Sequence, residues 1–123
     1  MAPTLLIVDD HAVFRSTARA LLECDGWTVV GEAADGSSGV DAVRALRPDV
    51  VLLDVRLPDI DGFAVAERLA AEGGGPAVVV TSSSDDPLYP DRARRTGACG
   101  FLAKHDLSGE ALQRLVDAGR PPA

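Results

Sequence analysis

The run T-L-L-I-V-D-D-H, residues 4–11, carries five burial-prone residues straight into two adjacent carboxylates, Asp9 and Asp10. A second apolar run, D-V-V-L-L-D at residues 49–54, also ends on an acid, Asp54. In an open α/β sheet the side chains that do chemistry collect at the carboxyl ends of the strands, where the chain leaves the core and helix N-termini offer backbone N–H groups. If the first and third strands are neighbours, three carboxylates meet in one crevice. Carboxylates that close raise one another's pKa and repel, so the arrangement makes sense around a hard divalent cation. Magnesium fits best, since it takes oxygen ligands, keeps several waters and binds through one or two carboxylates plus phosphate oxygens. A single aspartate at a strand end is more often a helix cap or turn former. The pair together with Asp54 shifts the weight toward chemistry.

Two further features point the same way. Of the 12 basic residues 11 are arginines, and the one lysine, Lys104, directly follows the apolar G-F-L-A of residues 100–103. A lone lysine is usually a solvated charge; at a strand's carboxyl end it can place a compact point charge beside the acids, as a phosphoryl oxygen needs. The run A-V-V-V-T-S, residues 77–82, ends in two hydroxyls, Thr81 and Ser82, either of which could hydrogen-bond such an oxygen or simply begin a polar loop.

These residues must be positioned by an alternating set of elements. Strand candidates lie at residues 4–9, 27–33, 49–54, 77–82 and 99–103, several of them nearly unbroken apolar runs as parallel strands covered on both faces require. Between them the spacing predicts helices over about 12–24, with Phe14, Ala18, Leu21 and Leu22 on one apolar face before Gly26; about 38–46, stopped by Pro48; and about 62–72, stopped by G-G-G-P. A fourth, poorly specified helix is expected to start near Pro90, because proline suits the first helical turn. A fifth spans about 109–118, with Ser108 as its N-cap. The alternation specifies an α/β class, a doubly wound (βα)5 arrangement with helices on both faces of a five-stranded parallel sheet.

The bulk properties restrict the function classes. The chain has 123 residues and a net charge of −7, consistent with one domain and one core and unfavourable for a general grip on nucleic acid or anionic membrane. The N-terminus lacks a basic n-region and the apolar runs are strand-sized, so neither a signal peptide nor a membrane span is expected, and the expected location is the cytoplasm. Cys24 and Cys99 lack C-x-x-C spacing and are expected to pack. Neither G-x-x-x-x-G-K-[ST] nor G-x-G-x-x-G occurs, which removes a nucleotide-binding reading.

The I-V-D-D of residues 7–10, the D-V-R-L-P-D-I-D-G of residues 54–62 and the G-A-C-G-F-L-A-K of residues 97–104 together resemble the receiver domain of two-component response regulators. The likeness covers essentially all of residues 1–123, and V-D-D-H-A-V-F-R most resembles receivers of regulators with a helix-turn-helix output. The resemblance implies a flavodoxin-like receiver fold with strand order 2-1-3-4-5. It implies Asp54 as phosphoacceptor, Asp9, Asp10 and Asp54 as acids of a Mg2+ site with the backbone carbonyl of Arg56, and Lys104 as the lysine that pairs with acids and phosphoryl group. Ser82, by its spacing from Asp54 and Lys104, is the expected switch hydroxyl with Thr81 as its rival, and Phe101 falls at the aromatic switch position.

The resemblance further implies phosphoryl transfer from the phosphohistidine of a sensor histidine kinase or phosphotransfer protein, with the helix 4, strand 5 and helix 5 face controlling a partner, an output domain or a homodimer. No direct nucleic-acid binding is expected of this domain, no output domain within these residues, and no enzyme activity beyond its own phosphotransfer and dephosphorylation. The double-proline approach to helix 4 departs from the family pattern and leads us to expect a segment that is mobile or remodelled before phosphorylation. Two rivals use the same residues: a Mg2+-dependent phosphatase with an aspartate nucleophile, although D-x-D-x-T is missing at Asp54, and a receiver-like docking module that needs no phosphate.

Overall fold

The computed structural model describes residues 3–119. Five parallel strands, β1 (Thr4–Val8), β2 (Thr28–Ala33), β3 (Val50–Asp54), β4 (Ala77–Ser82) and β5 (Gly100–Ala103), form one sheet in the order β2-β1-β3-β4-β5. They alternate with α1 (Ala12–Cys24), α2 (Gly36–Leu46), α3 (Gly62–Ala71), α4 (Tyr89–Arg95) and α5 (Gly109–Gly119), with a 3-10 turn over Lys104–Asp106. The expected fold class and strand order are therefore the observed ones.

The near-continuous apolar runs have a direct reason: successive side chains serve opposite cores. Leu5, Ile7, Val50, Leu52 and Val79 pack with Ala18 and Leu22 of α1 and Leu112 and Val116 of α5. Leu6, Val8, Val51, Leu53 and Val80 pack with residues of α2, α3 and α4 on the other face. The same alternation puts Asp9 and Asp54, each one step beyond its strand's last apolar residue, on the α1 face. No described helix is long and apolar enough to cross a membrane.

Local differences from the sequence reading have local causes. Helix α2 begins at Gly36 rather than near residue 38, despite a glycine and two serines in its first turn, because carboxylates satisfy its free N–H groups. Asp35 accepts from Ser38 N at 2.8 Å, and Asp59, from the β3–α3 loop, accepts from Gly36 N at 2.7 Å and Ser37 N at 2.9 Å. Cys24, expected to pack, is exposed at the last turn of α1, and Leu21 is 39% exposed, because the buried stripe of α1 passes through Ala18 and Leu22. Cys99 is half-buried against the α1–α5 core.

The last helix does not simply descend beside β5. Its first residue, Gly109, donates to Asp25 Oδ2 at 2.7 Å and accepts from Trp27 Nε1 at 3.2 Å, both at the approach to edge strand β2. A Cβ on its last residue, Gly119, would lie 2.6 Å from Cys99, at the approach to β5 on the opposite edge. Helix α5 thus crosses the sheet from one edge to the other.

Candidate functional site

β1 and β3 are hydrogen-bonded neighbours, with Val8 beside Leu53, so the acids that follow them converge. Asp9 and Asp54 are buried and Asp10 is exposed. One ligand-capable atom from each of Asp9, Asp10, His11 and Asp54 lies within 4.8 Å of all the others. Lys104 reaches over from the end of β5, placing Nζ 2.8 Å from Asp9 Oδ2 and 3.5 Å from Asp54 Oδ2, with the Phe14 ring of α1 4.3 Å away on its other side. A lone ammonium thus stands between two buried carboxylates and an aromatic face.

The backbone around the acids is held tightly. The Asp9 carbonyl accepts from Arg15 Nη1 at 2.7 Å, and Arg15 is fixed in turn by Glu32 of β2 at 3.1 Å. Glu32 has its pKa lowered chiefly by the Arg19 hydrogen bond. On the β3 side, Gly62 N donates to Val55 O at 2.7 Å, and a Cβ on Gly62 would stand 2.0 Å from the Asp54 carbonyl oxygen. Only glycine lets the loop fold back this closely. Asp61 caps α3 through Ala64 N at 2.9 Å, and Asp59 ties the same loop to α2.

The charge balance is acidic. The Asp54 pKa is raised, first by burial and then by the neighbouring Asp9 charge, against the opposing pull of Lys104 and a 3.4 Å contact from Arg56 N. Asp9 Oδ2 meets Lys104 as an ion pair outside hydrogen-bond geometry, which leaves a fully buried carboxylate oxygen without a hydrogen-bond partner. Buried acceptors of this kind are costly unless something pairs with them. The donor set of hard oxygens from Asp9, Asp10 and Asp54 fits a divalent cation.

The two hydroxyls at the end of β4 part company. Thr81 lies beside Asp54 in the β3–β4 register, but its Oγ1 donates to Leu102 O of β5 at 2.6 Å. Ser82 pairs with Ala103, and its Oγ accepts from Ser84 N at 3.0 Å. Thr81 is thus committed within the sheet, whereas Ser82 is engaged only by the loop that follows it. Phe101 is half-buried on the α4 face, its ring edge-on to Tyr89 at 5.6 Å; Tyr89 meets Phe63 at 5.5 Å, and Arg92 lies 4.3 Å over Phe63.

Sequence reasoning missed three participants. His11 was quoted only as part of a motif, yet its Nδ1 is 2.9 Å from Asp9 Oδ1 and 3.1 Å from Asp10 Oδ1. Its position directly after the acid pair was the available signal. Asp59 and Tyr89 act through partners distant in the chain, and no local pattern announces them.

The family profile of the response regulator receiver domain matches residues 5–117. The chain belongs to this family. It is 35% identical over 116 residues to the transcription regulator of virulence factors BvgA of Bordetella pertussis, covering 94% of this chain and 54% of that protein. It is 39% identical over 120 residues to the response regulator GacA of Pseudomonas syringae pv. syringae, covering 94% and 56%. Among solved structures it is similar to the signal receiver domain of the response regulator NarL from Mycobacterium tuberculosis, with a TM-score of 0.85, 33% identity and 96% of both chains covered. The chain spans about half the length of the curated relatives it matches. It is thus a response regulator receiver domain of two-component systems. Receiver domains bind Mg2+ at an acidic pocket and interact with histidine kinases or phosphotransfer proteins; here Asp9, Asp10 and Asp54 form an acidic cluster of that kind.

Proposed function

We propose that this receiver domain accepts a phosphoryl group on Asp54 from the phosphohistidine of a sensor kinase or phosphotransfer protein, and that phosphorylation alters its α4–β5–α5 face. The observation that carries this reading is the buried Asp54 carboxylate beside Lys104 Nζ and the second buried acid, Asp9. A carboxylate oxygen of Asp54 attacks phosphorus, the P–N bond breaks, and the donor imidazole leaves with the bonding pair and takes up a proton. Burial and the Asp9 charge raise the Asp54 pKa above that of an ordinary aspartate, and the Lys104 ammonium opposes this shift by favouring the ionised form that attacks. Mg2+, held by Asp9, Asp10, Asp54 and the Arg56 backbone carbonyl, would supply neutralisation of charge on the transferring oxygens. Lys104 supplies a second positive charge from the protein itself.

Ser82 is the switch hydroxyl in this reading, because its Oγ accepts from Ser84 N and can still donate its proton to a phosphoryl oxygen, whereas Thr81 would first have to give up its donation to Leu102 O. Movement of the β4–α4 loop then bears on Tyr89 and, through it, on Phe101, shifting an existing equilibrium of that aromatic pair. The seven-residue α4, with Pro90 in its first turn, is the segment we expect to be remodelled. The setting is the cytoplasm, where the kinase's phosphorylated domain resides, and the recipient of the signal is an output domain or a second protein.

Intact mass after incubation with acetyl phosphate tests the reading. One added phosphoryl group that requires both Mg2+ and Asp54 is the expected result. Labelling that persists in Asp54→Asn, or no labelling under conditions that modify a control receiver, would overturn it.

A further inference from the structure

We propose that Arg15 is a positioning residue for phosphoryl transfer: it holds the peptide that joins Asp9 to Asp10 from outside the acid crevice, and Glu32 of β2 is the anchor that holds Arg15. The inference rests on the phosphotransfer reading above and adds to it two residues that lie behind the reacting groups.

The two acids on this turn are held differently. Asp9 N–H donates to Ala33 O of β2 at 3.0 Å, after which the chain leaves the sheet and must deliver Asp10 before α1 begins at Ala12. The Asp9 carboxylate accepts from His11 N at 2.8 Å and meets Lys104 Nζ at 2.8 Å. Asp10 is exposed, and its carboxylate meets the His11 ring, itself 63% exposed, at 3.1 Å. Where the Asp10 carboxylate stands therefore depends on the backbone beneath it.

Arg15 grips that backbone at both ends. Its own N–H donates to His11 O at 3.0 Å and its Nη1 donates to Asp9 O at 2.7 Å, so one residue brackets residues 9–11. The guanidinium is kept in place by its Nε, which donates to Glu32 Oε1 at 3.1 Å. Glu32 also accepts from Arg19 Nη1 at 2.8 Å, and Arg19 Nη2 donates to Val29 O at 3.2 Å, which ties the anchor along β2. The rigid, planar fork of arginine lets one nitrogen serve the carboxylate while another serves the carbonyl in a fixed relation. Partly exposed ion pairs such as Arg15–Glu32 add little to stability. The contribution of this pair is instead a fixed peptide plane between the two acids, and a misplacement of about 1 Å in a reacting site slows it steeply.

The test compares wild type, Arg15→Ala, Glu32→Ala, the double variant and Arg19→Ala in two measurements. The first is amide hydrogen exchange in the absence of Mg2+. Arg15→Ala should exchange faster at residues 10 and 11, with the amides of β1 and β3 unchanged. The second is the initial rate of labelling by acetyl phosphate in saturating Mg2+. Arg15→Ala should lower the rate about tenfold, and Glu32→Ala should lower it less. The double variant should match Arg15→Ala, because Glu32 reaches the site through Arg15. Arg19→Ala, which loses a contact to Glu32 and none to Asp9, should change the rate by less than about twofold. Equal effects of Arg15→Ala and Arg19→Ala, or a rate loss accompanied by faster exchange throughout the sheet, would overturn the positioning role while leaving phosphotransfer standing. Wild-type protein that takes up no phosphoryl group would overturn the phosphotransfer reading, and the role of Arg15 with it.

Discussion

Two groups of aspartates, one at helix starts and one at strand ends, live under opposite conditions. Asp35, Asp59 and Asp61 each accept backbone N–H groups at the starts of α2 and α3. Asp9 and Asp54 sit buried at the ends of β1 and β3, with one lysine and too few donors between them. The pKa directions register the contrast: that of Asp59 is lowered, first by the Gly36 amide and then by Ser37, and that of Asp54 is raised by burial and Asp9. A satisfied carboxylate stabilises a loop; a crowded one is held in reserve for a ligand.

The most disruptive way to break this contrast is Gly62→Ala, because the new Cβ must displace the Asp54 carbonyl from a 2.0 Å approach. We expect a loss of about 3 kcal/mol in denaturant unfolding, with a shifted β3–α3 loop and weakened divalent-cation binding. Unchanged stability would mean that the loop is looser than the Gly62 to Val55 hydrogen bond indicates.

Lys104→Ala should cost about 2 kcal/mol, less than removing one partner of a fully buried ion pair because the lysine is partly exposed, yet substantial because it leaves Asp9 and Asp54 facing each other. Added Mg2+ should recover part of the loss, as a thermal shift would show. Loss without any recovery would argue against a cation site.

The sharpest form of the contrast is one of sign. Asp54→Asn should raise stability at neutral pH by about 1 kcal/mol, or a few degrees in Tm, because it removes a charge the fold disfavours. With its folded pKa above the unfolded one, the native state binds the extra proton, so wild-type stability should fall as pH rises through the window between those two values. Asp54→Asn should abolish that slope.

Asp59→Asn should act in the other direction and by a smaller amount, lowering stability at neutral pH. A carboxylate whose folded pKa is depressed contributes stability above its unfolded pKa and loses it as pH falls through the folded value. The difference between wild type and Asp59→Asn should therefore vanish in acid. Equal responses of the Asp54 and Asp59 variants would erase the distinction between the two groups.

The same distinction explains what could be read from the chain. Strand-sized apolar runs ending on Asp9 and Asp54 are legible because parallel strands buried on both faces need no polar alternation, and an acid at their ends stands out. The early start of α2 rests partly on Asp35, a local N-cap signal that the sequence reading passed over, and partly on the Asp59 carboxylate, which lies 23 residues away from Gly36 and which no local pattern announces. The crossing of α5 depends on Asp25 and Trp27 meeting Gly109 across more than 80 residues, a pairing that no window of sequence contains. His11 and Tyr89 are ordinary in composition and acquire their places only from neighbours in space. Cys24 was misread for the converse reason: an apolar local context does not tell which side of α1 faces water.

The most direct test of the central claim locates the phosphoryl group. Acetyl phosphate-treated protein should be reduced with borohydride, which converts an aspartyl phosphate to homoserine, and then mapped by peptide mass spectrometry. Homoserine at residue 54 and nowhere else is the predicted result. Homoserine at residue 9 or 10, or a phosphoryl group that survives reduction intact, would contradict Asp54 as the acceptor.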